Sequence, residues 1–253
     1  MKSLTQHITE KLVLNSNSKI RKQEYNYHPK TNDELKKLVF RLIDERGIEA
    51  DLNDIDTSKI TDMSELFMYS YFNGDISRWD VSNVINMKGI FAHSKFNGDI
   101  SGWNVSNVKD MSIMFKYSLF DRDISKWNVS NVEDMSSIFW NSKFNGDISK
   151  WDVSNVKRMY GMFATSEFNN DISEWNVSNV LNMGYVFYSS KFNKDISKWN
   201  VSNVTTMQCM FKNAQFNGDI SDWKINSNCK TEDIFINCKI EEKFKPEKFK
   251  PKF

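Results

Sequence analysis

The chain carries three histidines, His7, His28 and His93, and three cysteines, Cys209, Cys229 and Cys238. These side chains most often hold a metal, relay a proton or attack an electrophile. Their spacing supports none of those chemistries. There is no HExxH pair, no CxxC pair, and an odd cluster of late cysteines is no disulfide framework. Cys238 shares a column with Ser94, Ser118, Ser142, Ser166, Ser190 and Ala214, so it reads as a small buried residue. No GxSxG, GxGxxG or Walker loop occurs.

Carboxylates are plentiful but regular. Asp75, Asp99, Asp123, Asp147, Asp171, Asp195 and Asp219 recur at one constant interval. The functional reading is a calcium stripe. The structural one is turn capping, each carboxylate accepting backbone N–H groups, and it is preferred because stacked like charges repel unless locally bonded. Calcium-binding nonapeptide repeats are also Gly-rich, unlike this one. Acid–base catalysis needs two carboxylates in different environments, not one role repeated. The expectation is a non-enzyme with no metal and no cofactor.

Aromatic residues off the repeat pattern are the remaining candidates. Six of the eight tyrosines fall within the array, and Trp140 is the one tryptophan out of register. Tyr69, His93, Tyr117, Trp140, Tyr160, Tyr185 and Tyr188 would cluster on one outward face. Tyr and Trp give large rigid contacts at low entropy cost and dominate interface hot spots. The partner would be a protein or a glycan. Scattered exposed rings are equally normal, and some of these rings would suit packing between neighbouring coils.

The elements that position these rings follow from a period. Trp79, Trp103, Trp127, Trp151, Trp175, Trp199 and Trp223 keep a 24-residue period without insertion. A propeller blade needs ~40 residues, so a 24-residue unit makes one turn of a solenoid. The expected fold is an α/β repeat solenoid of about eight stacked coils, each a short parallel strand plus a short helix. "DISRWDV" reads as the strand. "NMKGIFAHS" places Met87, Ile90, Phe91 and Ser94 at i, i+3, i+4 and i+7, the stripe of a short helix. Asn83, Asn107, Asn131, Asn155, Asn179 and Asn203 read as an internal amide ladder.

Both ends read as caps. Thr31 and Glu34 make a capping box, Leu35, Leu38, Val39, Leu42 and Ile43 an apolar stripe, and Gly47 a helix stop. Residues 1–26 form a leader or extension, 27–47 the capping helix, 48–239 the solenoid and 240–253 a basic-aromatic tail. In that tail Phe244, Phe249 and Phe253 would strap over the last coil, though a membrane surface or polyanion would also suit it.

"FNGDISKWDVSNVKRMYGMF" (144–163) resembles the BspA-like, or DUF285, surface-protein repeat. The resemblance covers about residues 48–239 and implies a leucine-rich-repeat-like solenoid in bacterial, often surface-attached, proteins used in adhesion. It implies no catalysis and brings no active-site residues. The signal peptide or lipobox expected of such a lipoprotein is not seen in "MKSLTQHITEKLVLNSNSK". The opening "MKSLTQHITE" also resembles the cleavable leaders of proteins packaged in tailed-phage proheads, with Ile8-Thr9-Glu10 as the triplet and Glu10–Lys11 as the candidate processing site. A frayed helix is the alternative. Localisation is therefore open between a bacterial surface and a phage particle or cytoplasm.

Charge is balanced, 34 basic against 33 acidic residues, so nothing global points to nucleic acid. No apolar run is long enough for a transmembrane helix. Asn-Val-Ser and Asn-Val-Thr sites are by-products of the repeat. Capped ends argue against end-to-end stacking, and side-by-side pairing stays open.

Overall fold

A computed structural model describes residues 24–250. Its dominant feature is a stack of coils in a fixed register. Parallel bridges link Asp62, Asn86, Asp110, Asp134, Arg158, Asn182, Thr206 and Lys230 in succession, each bridge joining equivalent positions of neighbouring coils. The repeat solenoid expected from the sequence is therefore present, but its coils are not built of strand and helix.

The segment expected to be helical is a wall of consecutive turns. The N–H groups of Ile90, Ala92 and Ser94 close i→i+3 turns onto Met87, Gly89 and Phe91. The N–H groups between them, of Met87, Gly89, Phe91 and His93, donate to the carbonyls of Asp110, Ser112, Met114 and Lys116 on the next coil, at 2.7–3.1 Å. The wall donors thus alternate, one bonded within the coil and the next between coils. The first and third of these turns carry a left-handed residue at their third position. It falls at Gly89 and His93, with φ of 62° and 56°, and at the same columns in every coil. At the last coil the matching donors, Thr231, Asp233, Phe235 and Asn237, find no backbone acceptor among the described residues.

"DISRWDV" is likewise no strand. It holds a turn from Ile76 to Trp79, and its one backbone bridge to the preceding coil is Asp51 to Asp75 in the first coil, where the Arg78 N–H also donates to Asn53 Oδ1 and the Asp80 carbonyl accepts from Thr57 Oγ1. The recurring link is a side chain. Each indole Nε1–H donates to a carbonyl 27 residues earlier, Trp103 to Ile76 and Trp127 to Ile100 among them. The indoles are 3–5% exposed, and burying each contributes about 4–6 kcal/mol as an upper bound. Two phenylalanine columns complete the core. Phe91 stacks on Phe96 at 4.3 Å within a coil and on Phe115 at 5.9 Å across coils. The buried Ser94 hydroxyl accepts the Phe96 N–H at 2.9 Å, and the same bond recurs at Ser118 and Ser142. Cys238, at the end of that column, is only half-buried because no further coil covers it.

The asparagine column also bonds differently from expectation. Asn107 Nδ2 donates to the Ser82 carbonyl at 2.7 Å, and Asn131 to Ser106, so the amides tie backbone rather than each other. A second ladder runs along Asn73, Asn97, Asp121, Asn145, Asn169, Asn193 and Asn217. Each side-chain oxygen accepts the backbone N–H of the equivalent residue one coil on.

Helix α1, Asn32–Arg46, covers the first coil with Leu35, Val39 and Leu42, all fully buried. Thr31 Oγ1 accepts the Glu34 N–H at 3.2 Å, while Glu34 Oε2 takes the Lys30 N–H at 2.7 Å. The capping box is therefore displaced by one residue on its return arm. Gly47, at φ 93°, ends the helix. Tyr27 pairs with Ile55, and Arg46 bridges Asp54 at 3.0 Å and the Tyr27 hydroxyl at 3.3 Å. At the other end, Phe244 O accepts the Ile220 N–H, Phe249 meets Phe235 edge-on at 5.1 Å, and Lys248 Nζ reaches three carbonyls of the last coil. Phe253 lies outside the described residues.

The left-handed columns make a stability prediction. Thr165 is β-branched at φ 51°, whereas its column carries Asn141, Asn213 and Asn237. Thr165→Asn is expected to raise the unfolding free energy by about 1 kcal/mol, and Asn141→Val to lower it by about 1–2 kcal/mol. Urea unfolding of the two variants checks both signs.

A candidate aromatic face

The wall's turns decide which side chains point outward. Met87, Ile90 and Phe91 are buried, while the second left-handed column, Tyr69, His93, Tyr117 and their equivalents, reaches the outer surface. Columns superpose equivalent residues of successive coils, so rings placed in one column meet directly. Tyr69, His93 and Tyr117 all occupy the second left-handed column and stack at 4.6 and 4.7 Å between centroids.

The next ring changes column. Lys116 Nζ lies 5.8 Å from the Tyr117 ring and 5.0 Å from the Trp140 ring, a cation shared between two π faces. From Trp140 the run continues to Tyr160 at 6.2 Å, to Tyr185 at 5.3 Å and to Tyr188 at 5.5 Å. All seven rings read from the sequence therefore join in one run, through Lys116. They divide by geometry: the first three are near-parallel, at 24° and 18°, and the last four are tilted by 35–50°.

Exposure is uneven. Tyr69, Tyr117 and Tyr160 are 65%, 44% and 37% exposed, and the other four are half-buried. Tyr71, also 69% exposed, makes no ring contact among the described residues. Burial, with the Lys116 charge behind it, pushes the His93 imidazolium below its usual value, so the first stack is neutral near pH 7. Tyr185 is pushed up to about 12, first by its hydrogen bond with Cys209. Its hydroxyl thus stays protonated and can donate.

Three residues of this face were not among the rings expected from the sequence. Lys116 joins the two halves. Gly161 is required beneath Trp140, because a Cβ there would sit 2.6 Å from the ring. Cys209 supports Tyr185. Only Gly161, which shares with Gly89 a column of otherwise larger residues, was open to detection. Glu10 and Lys11 lie outside the described residues.

Comparison with known proteins supplies a family. The model described as "Mycoplasma protein of unknown function, DUF285" matches residues 36–145, 117–214 and 141–246. The chain belongs to the DUF285 family. No curated protein and no solved structure matches it. No helix among the described residues is long and apolar enough to cross a membrane.

The aspartate column of this DUF285 array serves its turns. Asp75, Asp99, Asp123, Asp147, Asp171, Asp195 and Asp219 each accept the backbone N–H of the serine two residues on, at 2.8–2.9 Å. Among the described residues, no three His, Cys, Asp or Glu side chains gather at a metal-holding distance.

That bond to serine N–H is the main reason each of these carboxyls titrates below its ordinary 3.8. Below that value the unfolded chain binds more protons than the folded one, so stability must fall with pH there. The contribution is complete above the ordinary value and is lost through the lower folded values. Stability is therefore expected to fall as pH drops from about 4 toward 2. Replacing Asp99, Asp147 and Asp195 together by Asn is expected to flatten this acid limb, because the amide oxygen still accepts but does not titrate. Urea unfolding across pH 2–7 measures both.

Proposed function

We propose that this DUF285 chain is a non-catalytic interaction module whose aromatic face docks a protein or glycan partner. The observation that supports this reading is the continuous ring run itself. The coil is complete without it, since the same columns hold Ala, Ser, Thr and Asn elsewhere. Three of its rings nevertheless stand substantially in water. Exposed rings that touch one another and share a cation form a rigid patch that needs little ordering on binding. A repeated scaffold with one role per column also argues against catalysis, which needs a unique arrangement. The surface-adhesion role implied by BspA-like repeats is consistent with such a patch.

Tyr69→Asn/Tyr117→Asn is the discriminating variant. Asn suits the left-handed backbone and already occupies that column, so unfolding free energy is expected to change by less than about 1 kcal/mol. Affinity for protein partners captured from bacterial and host surface extracts is expected to fall about tenfold or more. Unchanged protein capture by the folded variant would remove the Tyr69–Tyr117 stack as the docking site.

A further inference from the structure

The tilted half of the aromatic run borders a groove of about 530 Å³, between Tyr160, Tyr185 and the polar side chains of the next two coils. We propose that this groove is a glycan subsite; the inference rests on the interaction reading and names its ligand chemistry.

Three observations carry it. The groove exists because Gly184 interrupts a column filled by Tyr160 before it and Gln208 after it. A Cβ at Gly184 would already press on Tyr160 Cδ2 at 3.3 Å. Secondly, the charge ladder stops here. One coil earlier, the two columns beneath carry the ion pairs Lys157–Glu133 and Arg158–Asp134, both at 2.7 Å. Over the next two coils those columns become Leu181, Asn182, Thr205 and Thr206, of which the last three line the groove. Thirdly, the amides left are neutral and uncommitted among the described residues. Asn182 uses its oxygen on the Gly184 N–H, leaving its amide N–H groups free, and the Gln208 side-chain amide makes no hydrogen bond.

An amide offers a donor and an acceptor together, which matches vicinal hydroxyls. A tilted pair of tyrosines 5.3 Å apart gives faces for the C–H side of a pyranose ring. The lining is polar and apolar in about equal measure, which matches a pyranose better than a wholly apolar peptide side chain. It holds a single cation, Lys230, at its edge. A phosphate-rich ligand is therefore poorly matched, while a carboxylate-bearing sugar would gain one ion pair. In the parallel stack at Tyr69, His93 and Tyr117 the rings cover one another's inner faces, so it offers no tilted pair of this kind.

The test is a printed array of neutral and uronate-containing oligosaccharides, probed with the full chain. Wild type is expected to bind a subset of hexose or hexuronate structures. Gly184→Leu, which fills the groove, and Gln208→Ala, which removes the amide and leaves the fold, should each weaken that binding about tenfold. Tyr69→Asn/Tyr117→Asn should leave it intact. An array with no bound glycan, or binding that both groove variants retain, overturns the subsite. If a protein partner is still captured through Tyr69 and Tyr117, the groove inference falls while the interaction reading stands.

Discussion

Each wall N–H that donates to a carbonyl of the following coil sets the rest of this structure. With four such donors per coil, at Met87, Gly89, Phe91 and His93 for example, successive coils are held in a single register. An insertion would move every following donor off its acceptor, which accounts for the unbroken 24-residue period. The register also makes side-chain bonds repeatable. The indole of Trp103 reaches Ile76, the amide of Asn107 reaches Ser82, and the oxygen of Asn97 reaches Asp121. Each alone contributes about 1 kcal/mol. Repeated through the stack, they satisfy a backbone that has almost no regular secondary structure.

The same constraint shapes the surface. Columns that superpose identical positions turn single substitutions into contacts. Tyr69, His93 and Tyr117 stand one coil apart and stack because the wall has already placed them. Where the ring changes column, at Trp140, the parallel stack becomes a tilted cluster and a cation fills the step. Charge follows the same logic: Glu133–Lys157 and Asp134–Arg158 pair along their columns, and the columns are neutral over the next two coils. Scaffold and recognition are thus separated by position within one repeat unit. The DUF285 match covers the unit, while the ring run is particular to this chain's departures from it.

Much of this was legible in the sequence. The period, the buried Trp and Phe columns, the helix cap and the outward aromatic residues follow from spacing alone. The wall's conformation did not. Met87, Ile90, Phe91 and Ser94 satisfy a helical stripe, but successive four-residue turns put the same residues inward. The discriminating signal lay in the left-handed columns, where Gly89, Gly161, Asn141, Asn213 and Asn237 suit φ > 0. Ile113, Thr165 and Tyr185 sit there too and mask it. "DISRWDV", read as the strand, holds a turn instead, and its recurring tie to the neighbouring coil is an indole.

The most direct test of this account is the direction of the wall's hydrogen bonds, read by through-bond scalar coupling between amide nitrogen and carbonyl carbon in NMR. The account predicts couplings from the N–H of Phe91, Phe115 and Phe139 to the carbonyls of Met114, Ile138 and Met162 on the next coil. Couplings from those same amides to carbonyls of the preceding helical turn in their own coil would show a helix and contradict it.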